Sequence, residues 1–297
     1  MEVASFGGKI YLGAYPRARI YEYDPSREWR LGVNPKEVWN GDAVSGDRPF
    51  AMAAAGDRLA IGTVKKSGYL GGRLLFHNPR TGRTEVHDKL VKDQSIMSLA
   101  YRNGVLYAGT SVYGGYGAAE TQTDARLIAW DVKKGRELWE KTPVPGERTV
   151  SSLSFDRQGR LWGATAGVVF RYDDDGRFTS RRYTPYNWPQ DGGYALADLA
   201  FRKRDGQLYG SMPGVGLYRL DPRTWKMTVI TDARSIGWPC TQTGGCSPTT
   251  APNCSATHPP AEPAHPAHRR LPRPPGAGAR WRAGSFPAEA YITTHRV

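Results

Sequence analysis

The sequence predicts an all-β protein built from repeated four-stranded antiparallel sheets, the blades of a β-propeller. Three observations carry that prediction. An apolar-aromatic segment ending in small residues recurs as IYLG at Ile10, LAIGT at Leu59, LYAGT at Leu106, LWGAT at Leu161 and LYGS at Leu208, at spacings of 49, 47, 55 and 47 residues. A second segment closes on Asp or Asn: RIYEYDP at Asp24, LLFHNP at Asn78, LIAWDV at Asp131, VFRYDD at Asp173 and LYRLDP at Asp221. The chain also carries 35 glycines, many at turn positions, which suits short strands joined by tight turns. A repeat period between about 20 and 50 residues marks a repeat architecture, and four antiparallel strands per period make a propeller blade.

Each unit opens with an apolar strand, A, as in PFAMAAAGD (49–57), SIMSLAYRNG (95–104), VSSLSFDRQG (150–159) and ALADLAFRKRDG (195–206). Strand B is the first recurring segment and strand C the second. Asp or Asn followed by Pro fits the C–D corner, because the side chain bonds the backbone ahead and Pro presets φ. Strand D is polar and half-buried: TEVHDKL, ELWEKTP, FTSRRYTP and KMTVITD. About five blades result, at 1–46, 47–93, 94–147, 148–193 and 194–236, within a propeller domain of residues 1–238.

The pattern stops at residue 239. Residues 239–297 hold 11 of the 22 prolines, four of the six histidines and all three cysteines, with no strand-turn-strand unit. Three readings compete for this Pro/Ala/His/Arg-rich segment: a disordered extension; a zinc element from Cys240, Cys246, Cys254 and His258, whose spacing departs from the usual short Cys pair; or an out-of-frame continuation. The abrupt mid-pattern change favours the third, making the chain a truncated or frame-shifted version of a six- to seven-bladed propeller.

FDRQGRLWGAT resembles blades of the streptogramin lyase and gluconolactonase-like propellers, and GGKIYLGAYPRARIYEYDP resembles bacterial propellers described as WD40-like or quinoprotein-like. The resemblance covers about 230 residues and implies a fold rather than an activity. The Gly-His and Trp-Asp signature of true WD40 blades is absent, although Trp130-Asp131 occurs once. The metal-binding His and Glu set of the streptogramin lyases has no counterpart, so no metal and no cofactor is expected.

The formal charge is +13. The first 238 residues contribute +9 (35 basic, 26 acidic) and the remainder +4 (six Arg, two acidic). A basic body suits an acidic partner, and interspersed acids disfavour nucleic acid. The N-terminus lacks the basic and apolar regions of a secretory signal, which gives a cytoplasmic expectation unless the N-terminus is truncated. No apolar run approaches the ~18–20 residues of a membrane span, and no membrane partner is expected.

In a blade, the B–C loops and the D-to-A crossovers share one face. The separation of the two recurring segments is 14, 19, 25, 12 and 13 residues in blades one to five, so blades two and three carry insertions on that face. Loops lengthen where they are used. The candidate ligand-binding residues are Tyr15, Arg17, Arg48, Lys65, Tyr69, Asp93, Tyr113, Tyr116, Glu120, Arg148 and Tyr194, with Arg19, Lys66, Asp47, Gln94, Asp124, Glu147 and Asp191 beside them. Tyrosines next to cations suit a sugar or an anionic polymer, since rings stack on flat faces and cations meet carboxylates. The function expected is binding, or cleavage, of an acidic polysaccharide. A lyase would need a base, with Tyr69, Tyr113, Tyr116 or Lys65 as candidates, and a cation such as Arg17, Arg48 or Arg148 to neutralise the uronate carboxylate. The alternatives are a non-catalytic protein-interaction scaffold and a non-functional truncated reading frame. Gly114-Gly115-Tyr116-Gly117 lacks the Lys-Ser/Thr and helix of a phosphate loop and reads as a flexible turn. His77 and His87 read as packing or surface residues.

Overall fold

The recurring segments form strands, buried alternately in the first and fifth sheets and on both faces in the three between, and the chain has twenty strands in all, described here in a computed structural model covering residues 2–88, 90–173, 175–188 and 196–231. The first sheet contains β1 (Glu2–Phe6), β2 (Lys9–Ala14), β3 (Arg19–Tyr23) and β4 (Lys36–Trp39). The second contains β5 (Gly46–Ala55), β6 (Arg58–Lys65), β7 (Arg73–His77) and β8 (Thr84–Asp88). The third contains β9 (Ser95–Arg102), β10 (Val105–Ser111), β11 (Leu127–Asp131) and β12 (Arg136–Lys141). The fourth contains β13 (Ser152–Phe155), β14 (Leu161–Ala164), β15 (Val168–Tyr172) and β16 (Phe178–Arg182), and the fifth β17 (Asp198–Arg202), β18 (Gln207–Met212), β19 (Gly216–Leu220) and β20 (Met227–Thr231). Every sheet runs A-B-C-D in sequence order with antiparallel neighbours, as the blade pattern predicts. The segment from 239 onward, with its three cysteines and His258, lies outside the described residues.

Successive A strands pack in series: β1 on β5, β5 on β9, β9 on β13 and β13 on β17. Cores form between sheets rather than within them. Tyr11 and Ile20 of the first sheet meet Leu59, Ile61 and Leu75 of the second; Ala60 and Phe76 meet Leu106 and Trp130; Leu127 and Val150 meet Leu161 and Phe170; Trp162 and Val169 meet Leu199, Leu208 and Tyr218. The D strands are mostly exposed, which explains their polar composition.

The small residue of the first recurring segment has a packing reason. A Cβ on Gly62 would sit 2.5 Å from Ile96 Cγ2, one on Gly109 2.5 Å from Val150 Cγ1, and one on Gly13 2.5 Å from Pro49 Cγ. Strand B of each of the first three blades thus leaves a slot that the next blade's A segment fills.

His77 is 1% exposed; its Nδ1 meets Thr84 Oγ1 at 2.9 Å, while its Nε2 is buried with no partner. His87 packs its ring against Trp130 and Phe76, and its Nε2 is likewise buried without a hydrogen bond. Both are packing residues, as the sequence suggested. Burial pushes both below the ordinary histidine value of 6.5, with Glu22 beside His77 and Glu85 beside His87 opposing the shift. The unfolded chain therefore binds more protons as pH falls through about 6.5, so stability present above that pH is lost below it. The urea midpoint is expected to fall between pH 7.5 and pH 5, a window above most carboxylate titrations. An unchanged midpoint across it would contradict neutral, buried imidazoles.

Candidate functional site

The two insertions on the long-loop face are built into each other. The loop of residues 66–72 joins β6 to β7, and that of 112–126 joins β10 to β11. Gly68 N–H donates to Tyr116 O and Gly115 N–H to Tyr69 O, both at 2.9 Å. The backbones approach so closely that a Cβ on Gly115 would lie 2.0 Å from Lys66 O, and one on Gly114 2.5 Å from Tyr69 O. Gly114 and Gly115 are thus fitted contacts, which corrects their reading as a flexible turn, whereas Gly117, at φ +76° with open space around it, is a turn glycine. Ser95 Oγ lies between the two loops, 2.8 Å from Tyr113 O and 3.3 Å from Gly71 O.

The base of the longer loop is tied to the crossover after the third sheet. Ala125 N–H donates to Glu147 O at 2.8 Å, Val112 N–H to Arg148 O at 3.0 Å, and Gly146 N–H to the Asp124 carboxylate at 2.5 Å. That last bond, with Thr123, holds the Asp124 carboxyl below the usual range. Gln94 is buried; its amide donates to Asp124 O at 2.8 Å and its carbonyl accepts from Thr110.

A buried carboxylate lies beneath this crossover. Glu147 is 2% exposed; its Oε1 accepts from Arg182 Nη2 at 2.7 Å and its Oε2 from Trp188 Nε1 at 3.1 Å. Tyr113 stands over Trp188 with ring centroids 6.1 Å apart, and its hydroxyl donates a long 3.4 Å bond to Trp188 O. Burial raises the Tyr113 phenol above its ordinary value of 10, a shift only partly offset by the neighbouring Arg148, and Glu120 adds to the rise. Tyr113 therefore stays protonated at neutral pH, its proton directed at Trp188 O and a guanidinium nearby.

The remaining predicted residues fall into separate groups. Tyr15, 64% exposed, lies under the Arg48 guanidinium at 4.8 Å, and Arg48 pairs with Asp47 at 3.3 Å. Arg48 thereby links the first two blades while keeping an exposed edge. Arg17 pairs with Asp42 at 3.1 Å on the surface, and Arg19 opens β3 beside Glu37. Lys65 ends β6 with its ammonium 3.8 Å from Asp88, already close to a carboxylate. Lys66 lies over the Tyr69 ring at 5.2 Å. Asp93 accepts from Thr121 at 2.7 Å, and Tyr116 is 85% exposed at the tip of the longest loop. Tyr194 and Asp191 lie outside the described residues. Among the described residues no group of three or more His, Cys, Asp or Glu is placed to hold a metal.

The sequence reading missed Arg182 and Trp188. Arg182 ends a D strand, where polar residues are ordinary, and Trp188 lies in the crossover before the fifth sheet; their signal is an aromatic and a cation in a segment that shares the long-loop face.

No family model matches the chain, and no curated protein matches it. Among solved structures, the quinohemoprotein alcohol dehydrogenase ADHIIG from Pseudomonas putida HK5 superposes with a TM-score of 0.53 over 77% of this chain, at 16% identity. The blades are those of a β-propeller. The chain spans about 41% of that dehydrogenase's length, and at this identity the likeness concerns the propeller fold alone. The predicted quinoprotein-like blade pattern agrees with it.

Proposed function

We propose that the propeller binds an acidic carbohydrate on its long-loop face, with Tyr113 and Arg148 as the pair that reads a uronate carboxylate. The observation that carries this reading is the Arg148 guanidinium beside the Tyr113 phenol, whose long 3.4 Å bond to Trp188 O is weak enough to be exchanged for a bond to a carboxylate. Glu147, the nearest acid in sequence, has its charge met by Arg182, so it does not cancel Arg148. Exposed Tyr69 and Tyr116 on interlocked loops offer ring faces to a sugar chain. Binding is favoured over cleavage. A lyase base must lose its proton near neutral pH, whereas Tyr113 is shifted the opposite way and Lys65 is paired with Asp88.

Calorimetric titration with oligogalacturonate, oligoguluronate and hyaluronan oligomers tests the proposal. At least one should bind with an affinity that weakens as salt rises. Arg148→Ala should lose about tenfold or more and Tyr113→Phe a smaller factor. No unsaturated-sugar absorbance should develop. Equal binding by wild type and Arg148→Ala, or no binding to any of the three, contradicts the reading. One observation favours a protein partner as the second reading: Tyr116, at 85% exposure on a backbone-braced loop, is a preformed anchor.

A further inference from the structure

The first blade differs from its siblings at the other end of its strands. Its C–D connection runs from residue 24 to 35, whereas the corresponding connections are 78–83, 132–135, 173–177 and 221–226. The added residues form a small, internally bonded hairpin. Arg30 N–H donates to Asn34 O at 2.8 Å, Asn34 N–H to Arg30 O at 2.7 Å, and Val33 N–H to Arg30 O at 2.9 Å. Asn34 is 3% exposed; its Oδ1 accepts from Asp24 N–H at 2.8 Å, and its Nδ2 donates to the carbonyls of Asp24, Arg27 and Glu28 at 2.9, 3.2 and 3.1 Å.

This well-braced segment nonetheless turns its apolar side chains outward. Trp29 is 61% exposed, Leu31 79% and Val33 45%, the densest run of exposed large apolar residues among those described. Arg27 and Arg30 lie on the same hairpin beside Glu28, with Asp24 at its base within the field of Arg27, and neither arginine makes an ion pair among the described residues.

We propose that this hairpin is a membrane-surface contact, in which Trp29, Leu31 and Val33 enter the headgroup region of an anionic bilayer while Arg27 and Arg30 meet its phosphates. Tryptophan favours the interface between water and hydrocarbon, and arginines beside an apolar tip add attraction to anionic lipid. The Asn34 bonds answer several of the hairpin's polar backbone groups internally, which lowers the penalty for leaving water. The net charge of +13 has the matching sign. Such a contact needs no apolar run of spanning length, which is why the sequence carried no membrane expectation. The hairpin lies at the end of the strands opposite the long loops, so the contact is independent of carbohydrate binding.

Co-sedimentation of the full chain with vesicles of phosphatidylcholine alone, and of phosphatidylcholine with about one-third phosphatidylserine, tests this. The wild type should bind the mixed vesicles. The Trp29→Ser/Leu31→Ser/Val33→Ser variant should bind about tenfold less or weaker, and Arg27→Gln/Arg30→Gln should lose affinity and salt sensitivity. Because all five side chains lie outside the inter-sheet cores, melting temperature and uronate titration should be unchanged in both, which separates this proposal from the carbohydrate reading. No vesicle binding overturns the proposal, as does full retention by the triple serine variant. A wild-type dimer in sedimentation velocity that the triple serine variant abolishes also overturns it, assigning the tip to a second copy.

Discussion

Replacing Asp156 with Ala is expected to lower the unfolding free energy by about 3 kcal/mol. Asp156 sits in the A–B turn of the fourth blade with its residue 4% exposed. Its carboxylate accepts from Arg160 N–H at 3.0 Å, Arg160 Nε at 2.8 Å and Trp162 Nε1 at 2.9 Å. Trp162 is itself 0% exposed, its ring centroid 4.5 Å from that of Trp225 in the core between the fourth and fifth sheets. Truncation leaves a buried indole N–H and a partly buried guanidinium unpaired, and removes the clasp that sets the turn. Asp156→Asn retains an acceptor and should cost about half as much. Urea denaturation with an unchanged m-value measures both. A loss below ~1 kcal/mol for the alanine variant would show that the turn is held by its backbone bond from Asp156 N–H to Arg160 O instead.

Glu147→Ala is expected to cost about 2 kcal/mol and to weaken carbohydrate binding by roughly tenfold. The stability loss comes from Trp188, 4% exposed, whose Nε1 loses its acceptor; Arg182, about half exposed, turns to water at little cost. The binding loss is indirect, because Tyr113 is packed over Trp188 and Arg148 follows Glu147 in the chain. Glu147→Gln keeps an oxygen for the indole and should restore most of the binding. If Glu147→Ala binds uronates as the wild type does, the crossover does not position Tyr113 and Arg148.

The blade architecture is legible in the sequence because each strand repeats its chemistry. Leu59, Leu106, Leu161 and Leu208 all become buried residues of B strands, and the Asp or Asn ending each C strand stands where the predicted corner falls. The lengths of the B–C loops follow the predicted order, with 112–126 longest and 66–72 next. Contacts that cross blades were not legible. Glu147 reaches Arg182 and Trp188 across 35 and 41 residues, and no local pattern ties an acid to an indole at those separations. The hairpin at 24–35 stayed hidden for a different reason. Asp24-Pro25 carries the same turn signal as Asp221-Pro222, so the first corner looked as tight as the fifth. Gly115 looked loose because glycine in sequence signals freedom, whereas here it is needed for backbone approach to Lys66.

Hydrogen exchange with and without a saturating uronate oligomer tests the central claim most directly. Amides of residues 112–126 and 142–151 should gain protection, with a smaller gain over 66–72, while the A–B and C–D turns exchange unchanged. Protection confined to the A–B or C–D turns, or none on the long-loop face, would contradict a carbohydrate site at Tyr113 and Arg148.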